Sequence, residues 1–314
     1  MNISGILLAF QGAASQGILW GIFVLGVYIT YKILDIADLT VDGSFALGGC
    51  VCAALIVTYG VNPVAALLIA TLAGVIAGAI TGFLHTVFEI PAILAGILTQ
   101  ISLWSINLRI MGKSNIPLLK SPTIFSGLIE NAGMKNSLAA AVIGVLIVVA
   151  VIGILYWFFG TEIGSALRAT GNNEDMIRAL GVNTKFTKMI ALMMANGLVG
   201  MSGALVCQSQ KYADIGMGTG AIVIGLAAIV IGDVLFGKVR NFACRLASGV
   251  IGSVVYFLIR AIVLQLGMDA NDMKMLSAII VALALCVPFA MEKYRLKHSY
   301  SEGGEEDAEY ISCK

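Results

Sequence analysis

The residues best placed to do chemistry in this chain are charged and lie together. Between Thr161 and Lys188, TEIGSALRATGNNEDMIRALGVNTKFTK, four cations, three acids and three glycines separate two long apolar runs. Arg168 and Arg178 each carry a planar guanidinium fork suited to carboxylates on another surface. That chemistry is recognition, not bond-making. Ile163, Leu167, Met176, Ile177, Leu180 and Val182 alternate with polar residues, which predicts two short helices at about 162–170 and 174–180. Gly164, Gly171 and Gly181 are expected to break the stretch into those pieces. Asn172 and Asn173 stand where the second piece needs a cap, and Glu174 and Asp175 fall in its first turn, complementing the helix dipole. Patterning alone allows either a folded element on which a soluble partner docks or a solvated loop with caps.

Other candidates for catalysis fail on inspection. Gly232-Asp-Val-Leu-Phe-Gly237-Lys238 has the glycine spacing and lysine of a phosphate-cradling loop, but Val239 stands where a magnesium-binding Ser or Thr is needed. The segment also ends an apolar run and joins no strand to a helix. The two histidines, His85 and His298, are too few for a His-based metal site or an HExxH protease. No nucleophile, base and orienting group stand in proximity, so the chain reads as a non-enzyme with no metal or cofactor of its own. The cysteines follow no disulfide or metal spacing and read as small apolar residues.

The elements that must position these residues are membrane spans. Of 314 residues, 59% are hydrophobic and only 12% are charged, with a mean hydropathy of +0.96. Such a chain cannot clothe a soluble globule of this size. Its net charge of +1 argues against nucleic acid as a partner, because neutralising phosphates needs a concentrated basic surface. A ruler of about 20 apolar residues predicts an all-α polytopic bundle of nine spans, within a range of eight to ten. They fall near 15–33, 43–60, 64–86, 91–111, 138–159, 187–207, 218–237, 244–266 and 275–291. Ile3–Phe10 is where a span is most easily miscounted. The N-terminus lacks a charged leader and cleavage site, so the first run reads as a retained span. Gly74, Gly78 and Gly82 form overlapping GxxxG pairs in the third run, a spacing that lets helix backbones approach.

Orientation follows from lysine and arginine, which accumulate on the cytoplasmic side. With Thr161–Lys188 cytoplasmic, alternation places Lys32, Arg168, Arg178, Lys185, Lys188, Lys238, Arg240, Arg245, Lys293, Arg295, Lys297 and Lys314 on that side. Arg109, Lys113, Lys120, Lys135, Lys211 and Lys274 fall on the other, and Arg260 is set aside as intramembrane, about six residues from the external end, within reach of the interface by snorkelling. The bias predicts an external N-terminus and a cytoplasmic C-terminus. Residues 1–292 form the membrane domain, with the polar element at 160–186. Residues 293–314 read as a disordered cytoplasmic tail, whose last stretch, SEGGEEDAEYISCK, is acidic, glycine-bearing and aperiodic.

Asp35, Asp38 and Asp42 bracket the start of the second span. They are either intramembrane acids, which function tends to retain, or interfacial groups, with Asp42 capping the helix that starts at Gly43. Thr99, Ser102, Ser105 and Asn107 form a polar stripe on the fourth span that can line a cavity or tie helices together. Asp38–Gly49 and Asp214–Gly225 each place an Asp and a glycine-rich interruption before a long span. Paired interruptions of that kind mark binding regions in transporters with internal repeats. On that reading Ser44, Gly43–Gly48 and Gly216–Gly220, with Gly218, flank a solute pathway, and Phe45 is a candidate gate.

The run Gly164-Ser-Ala-Leu-Arg168-Ala169-Thr-Gly171-Asn172, then Arg178-Ala179-Leu180-Gly181-Val182, then Asn196-Gly197-Leu198 and Gly200-Met-Ser-Gly203-Ala204-Leu205 resembles a known signature. It is that of ABC-importer permeases of the branched-chain amino acid and ribose permease superfamily, roughly G-x-x-L-R-A-x-G-x-N, A-R-x-x-G-I and S-x-x-L-A-G-x-A-G-A. Ile177 stands where that family usually has Ala, and Asn196 where Ser is common, which leaves the glycine and arginine frame intact. Tyr31–Gly48 and Ile93–Gly112 are similar to a subgroup that includes tryptophan- and tyrosine-type permeases.

The resemblance covers about residues 20–290. It implies a multi-pass protein of a bacterial plasma membrane that pairs with a second copy of itself. It further implies a separate ABC ATPase bound through 160–186, and solute received from an extracytoplasmic binding lipoprotein. Glu162, Gly164, Arg168, Gly171, Asn172, Arg178 and Gly181 would then couple transport to the ATPase, which alone would use ATP and magnesium. The contrasting reading is a self-sufficient channel or secondary carrier for a small polar solute.

Overall fold

A computed structural model describes residues 3–119, 121–127, 129, 133, 135–236, 241–267, 272, 275, 277–283 and 286. Helix α1 (Ile3–Tyr28) absorbs Ile3–Phe10 as its first turns and ends in a π-helical turn, Ile29–Ile33. There follow α2 (Thr40–Val57), α3 (Pro63–Thr86), α4 (Ala92–Met111), β1 (Asn115–Pro117), α5 (Asn136–Phe159), α6 (Glu162–Asn172), α7 (Glu174–Ala179) and α8 (Thr184–Gln210). Strand β2 (Tyr212–Asp214), a 3-10 turn (Ile215–Gly218), α9 (Ala221–Phe236) and α10 (Phe242–Gln265) complete the described elements. Eight helices among the described residues are long and apolar enough to cross a membrane. They coincide with the first eight runs expected from hydropathy. Of the ninth, 275–291, only 275, 277–283 and 286 are described, all helical. The tail 293–314 and the loop residues Gly237–Arg240 lie outside the described residues.

Local chemistry explains the helix ends. The Asn62 side chain accepts a hydrogen bond from the Val64 amide at 2.9 Å, and Pro63 occupies the first helical position of α3, where no amide proton is missed. Gly112 closes α4 in the left-handed conformation, φ +67°.

Helix α8 is the post around which the bundle packs, and small residues line its buried face. A Cβ on Gly74 or Gly78 of α3 would strike the carbonyls of Asn196 or Leu192, and one on Gly48 of α2 would strike the backbone of Gly200. The GxxxG spacing is thus a contact face for α8. α1 runs antiparallel to α8: the Leu19 carbonyl accepts a bond from Ser202 Oγ at 2.9 Å, and Gly26 lies against the Ala195 carbonyl.

Two helices begin inside the bundle. Asn196 is near the midpoint of the 27-residue α8, yet Asp38 and Ser44, on either side of the α2 start, both bond to its side chain. α2 therefore starts at mid-depth, after residues 34–39 have turned back in. α9 starts at the same level, since the amides of Gly220 and Ile222 bond to Asp42. The two helices are 18 and 16 residues long, and the 3-10 turn Ile215–Gly218 leads into the second. Antiparallel pairing of β1 with β2, Ile116 opposite Ala213, closes one end of the bundle.

The close approach of α3 to α8 gives a test. Gly78→Val should destabilise the detergent-solubilised protein by about 1–3 kcal/mol through overpacking, read as a lower thermal unfolding midpoint. Gly153→Ala, on α5 with nothing within 4 Å of the added atom, should leave the midpoint unchanged or slightly raised.

Candidate functional site

Two polar regions lie in the bundle, one at mid-depth and one at the end where α8 begins. At mid-depth, Asp38 is buried between two donors: its Oδ1 accepts from the Thr40 amide at 2.9 Å and its Oδ2 from Asn196 Nδ2 at 2.7 Å. Ser44 Oγ donates to Asn196 Oδ1 at 2.7 Å. Thr40 and Thr81 hydroxyls lie 2.7 Å apart, Thr81 donates to Thr99 Oγ1 at 3.0 Å, and Thr99 donates to the Ala95 carbonyl at 3.0 Å. A continuous hydrogen-bonded chain thus joins α2, α3, α4 and α8 in a setting where an unmet polar group is costly.

Asp42 corrects an expectation. It caps no helix of its own; its two oxygens each accept a backbone N–H at 2.8 Å, from Gly220 and Ile222, and so cap α9. Asp38 caps α2 through Thr40. The paired interruptions seen in the sequence therefore meet: a Cβ on Gly218 would strike the Asp42 carbonyl. Nor are Asp38 and Asp42 interfacial, as one reading allowed, because both lie at the level of Asn196. Asp35 alone is exposed, at φ +54°.

The expected pathway residues part company here. Asp42, Asn107, Gln100, Trp104 and Thr219 line a cavity of about 20 Å³, room for one water and too small for an organic solute. Asn107 Oδ1 is buried there without a hydrogen-bond partner. Ser44 and Thr99 belong to the Asp38 chain. Ser102 does not join them, since it is exposed on the other side of α4 and bonds to the Leu98 carbonyl. Phe45 is fully buried, its ring 4.6 Å from Trp20 and 5.4 Å from Phe23, in a layer that Trp20 extends to Phe257. Sequence reading passed over Thr40, Thr81 and the link of Asp38 to Asn196. An Asp and an Asn inside apolar runs were the available signal.

At the end where α8 begins, α6 and α7 form the expected pair of short helices. Thr161 caps α6 through the Gly164 amide, and Asn173 caps α7 through the Met176 amide at 3.0 Å. Asn172 is instead the last residue of α6. Gly164 and Gly171 correct a second expectation: they lie inside α6 and break nothing. They allow contact, Gly164 with the Phe158 carbonyl and Gly171 with the Ile33 carbonyl. The break is made by Asn173 in extended conformation, and Gly181, at φ +84°, makes the turn that follows α7.

Arg168 turns toward its own protein, donating to the Phe159 carbonyl at 2.6 Å with its guanidinium 5.3 Å from the centre of the Phe242 ring. Arg178 pairs with Glu174 at 2.9 Å, and Lys188 of α8 pairs with the other oxygen at 2.5 Å. Lys185 reaches Glu89, next to α3, at 3.1 Å. Ile163, Met176, Leu180 and Phe186 are exposed by 47%, 51%, 71% and 54%, beside exposed Glu162 and Asp175. An apolar, charge-rimmed surface is thus held on a firm base.

Removing two caps at once should be costly. Asp42→Ala leaves two interior amides unpaired, at about 1–3 kcal/mol each, whereas Asp42→Asn keeps an acceptor and should fall between it and the parent in thermal unfolding. At Glu174 partial burial acts upward, but the Lys188 hydrogen bond and the Lys188 and Arg178 charges outweigh it and hold the pKa below its usual 4.5. A depressed carboxyl pKa stabilises above the unfolded value and loses that contribution as pH falls through the folded one. Amide exchange protection of α7 should therefore stay level from pH 8 to about 5 and decline only below pH 4.5.

The family described as branched-chain amino acid transport system, permease component, matches residues 9–287. The tyrosine transport system permease protein of Clostridioides difficile (strain R20291) is 39% identical over 279 residues, 89% of this chain and 90% of that one. The uncharacterized protein RP368 of Rickettsia prowazekii (strain Madrid E) is 35% identical over 87% of this chain and 95% of its own length. The ribose import permease protein RbsC of Escherichia coli (strain K12) is 26% identical over 84% and 81%.

Proposed function

This chain belongs to the branched-chain amino acid transport system permease component family, and on that premise we propose that it is the membrane subunit of an ATP-binding cassette importer that carries a small solute, an amino acid, inward. The family and the eight helices long enough to span support a multi-pass permease of the cell membrane. The partners in this reading are two ATPase subunits that use ATP and magnesium, an extracytoplasmic binding lipoprotein and a second copy of this chain. An amino acid cargo, aromatic by preference, is supported by the name of the tyrosine permease relative.

The observation that carries the proposal is the α6–α7 surface. Three exposed apolar side chains there, Ile163, Met176 and Leu180, with Phe186 on the first turn of α8, stand among charges as a soluble partner would bury them, and a buried apolar anchor dominates such contacts. Its mounting suits transmission of force: Gly171 rests on the last turn of the first span, Thr170 lies 3.3 Å from Thr187 of α8, and Arg168 pins α6 to the end of α5. Arg168 is thus a positioning residue in this role, while Leu180, Met176 and the exposed acids make the contact. The cation bias of that side agrees with a cytoplasmic location.

Leu180→Asp in the complete transporter should weaken ATPase retention on co-purification by about tenfold or more. Arg168→Ala should lower ATP-driven uptake while leaving the spans inserted. Parental uptake by both variants at matched expression, or uptake that persists without any ATPase, would refute the proposal and favour a self-sufficient carrier.

A further inference from the structure

At the end of the bundle opposite α6 and α7, a cavity of about 640 Å³ lies between the start of α1, the end of α8 and the end of α10. Its size is that of a small-molecule site, about 300–1,000 Å³. Arg260, Gln16, Gln210, Gln265, Phe257 and Ala261 line it. Gln210 Nε2 donates to Gln16 Oε1 at 3.3 Å, which fixes two amides and leaves the Gln16 amino group as donor and the Gln210 carbonyl as acceptor. The Arg260 guanidinium lies 5.8 Å from the centre of the Phe257 ring, and no acidic side chain pairs with it among the described residues. An arginine within a span is expensive unless a ligand or water-filled space meets it.

We propose that this cavity is a solute site that takes a zwitterionic amino acid, with its α-carboxylate on Arg260. The guanidinium fork matches a carboxylate bidentately. The amide carbonyls of Gln210 and Gln265 provide acceptors for the ammonium group. Phe257, whose ring packs on Trp20, lines the cavity with Ala9, Ala13, Ala261 and Leu264, so an aromatic or large apolar side chain finds matching surface there. This site is separate from the mid-depth residues Asp42 and Asn107, whose cavity holds no solute. The inference rests on the importer reading and deepens it by naming the recognised group.

The test uses the complete transporter, with its ATPase and binding protein, and L-tyrosine as probe. Arg260→Gln should raise the KM for uptake about tenfold or more at matched membrane levels, the scale of one lost charged contact, with Arg260→Lys between it and the parent. Because a variant of a partly buried arginine can misfold, labelling of an Ala261→Cys variant by a charged methanethiosulfonate, read on the peptide carrying position 261, gives an independent measure. L-tyrosine should slow that labelling and tyramine, which lacks the carboxylate, should not. Parental KM in both arginine variants, or equal protection by the two ligands, overturns the site and leaves the importer reading intact. Absence of ATP-dependent amino acid uptake by the parent complex overturns the importer reading itself.

Discussion

Two helix N-termini inside a membrane bundle are the constraint on which this structure depends. The first amides of any helix lack intrahelical acceptors, and lipid supplies none. Asp38 and Asp42 answer for them, one at α2 and one at α9. Each carboxylate also faces the positive end of a helix dipole. Bringing the chain back to that depth requires close backbone approach, which the small residues allow: a Cβ on Gly218 would strike the Asp42 carbonyl, and one on Gly96 would stand 2.9 Å from the Leu39 amide nitrogen. Part of the glycine content thus serves the interior helix starts, and part serves the packing of full spans on α8.

That arrangement bears on how force would cross the protein. The π-helical turn Ile29–Ile33 supports α6 through Gly171, and Asp38 lies only five residues beyond Ile33. Lys32 of the same turn pairs with Asp233 near the end of α9 at 2.7 Å. Displacement of α6 therefore has a short route to the start of α2 and another to the foot of α9. Such a route is a contact path, and coupling needs a two-state element as well. The starts of α2 and α9, which meet through Asp42, are the natural place to seek one.

Spans, caps and the α6–α7 pair were legible because they rest on local signals: apolar run length, an Asn or Thr before a helix, acids in a first turn. Gly181 was legible as a turn for the same reason. Gly164 and Gly171 were misread, since a glycine that admits a neighbouring carbonyl has the same letter as one that bends a chain. Asp42 shows the other limit. Its place four residues into a polar stretch made it look like a cap for its own helix, whereas its partners lie 178 and 180 residues away. The stripe on α4 divided for a related reason: helical phase places Thr99 and Asn107 inward and Ser102 outward, and only packing against α2 and α3 identifies the inward side.

The aromatic layer then gains a role that neither end of the molecule explains alone. Trp20, Phe23, Phe45 and Phe257 make tilted and edge-on contacts at 4.6 to 5.5 Å, each worth about 0.5–1.5 kcal/mol beyond area burial. At one edge of the layer Phe257 lines the Arg260 cavity, and at another Phe45 lies near the start of α2. Phe45 rides on the first turns of α2, three residues after Asp42. The α9 cap at Asp42 and the Trp20 contact at Phe45 therefore share one stretch of α2. The two acids thus do more than satisfy amides: they tie the start of α2 to α8 and to α9 beside the aromatic layer.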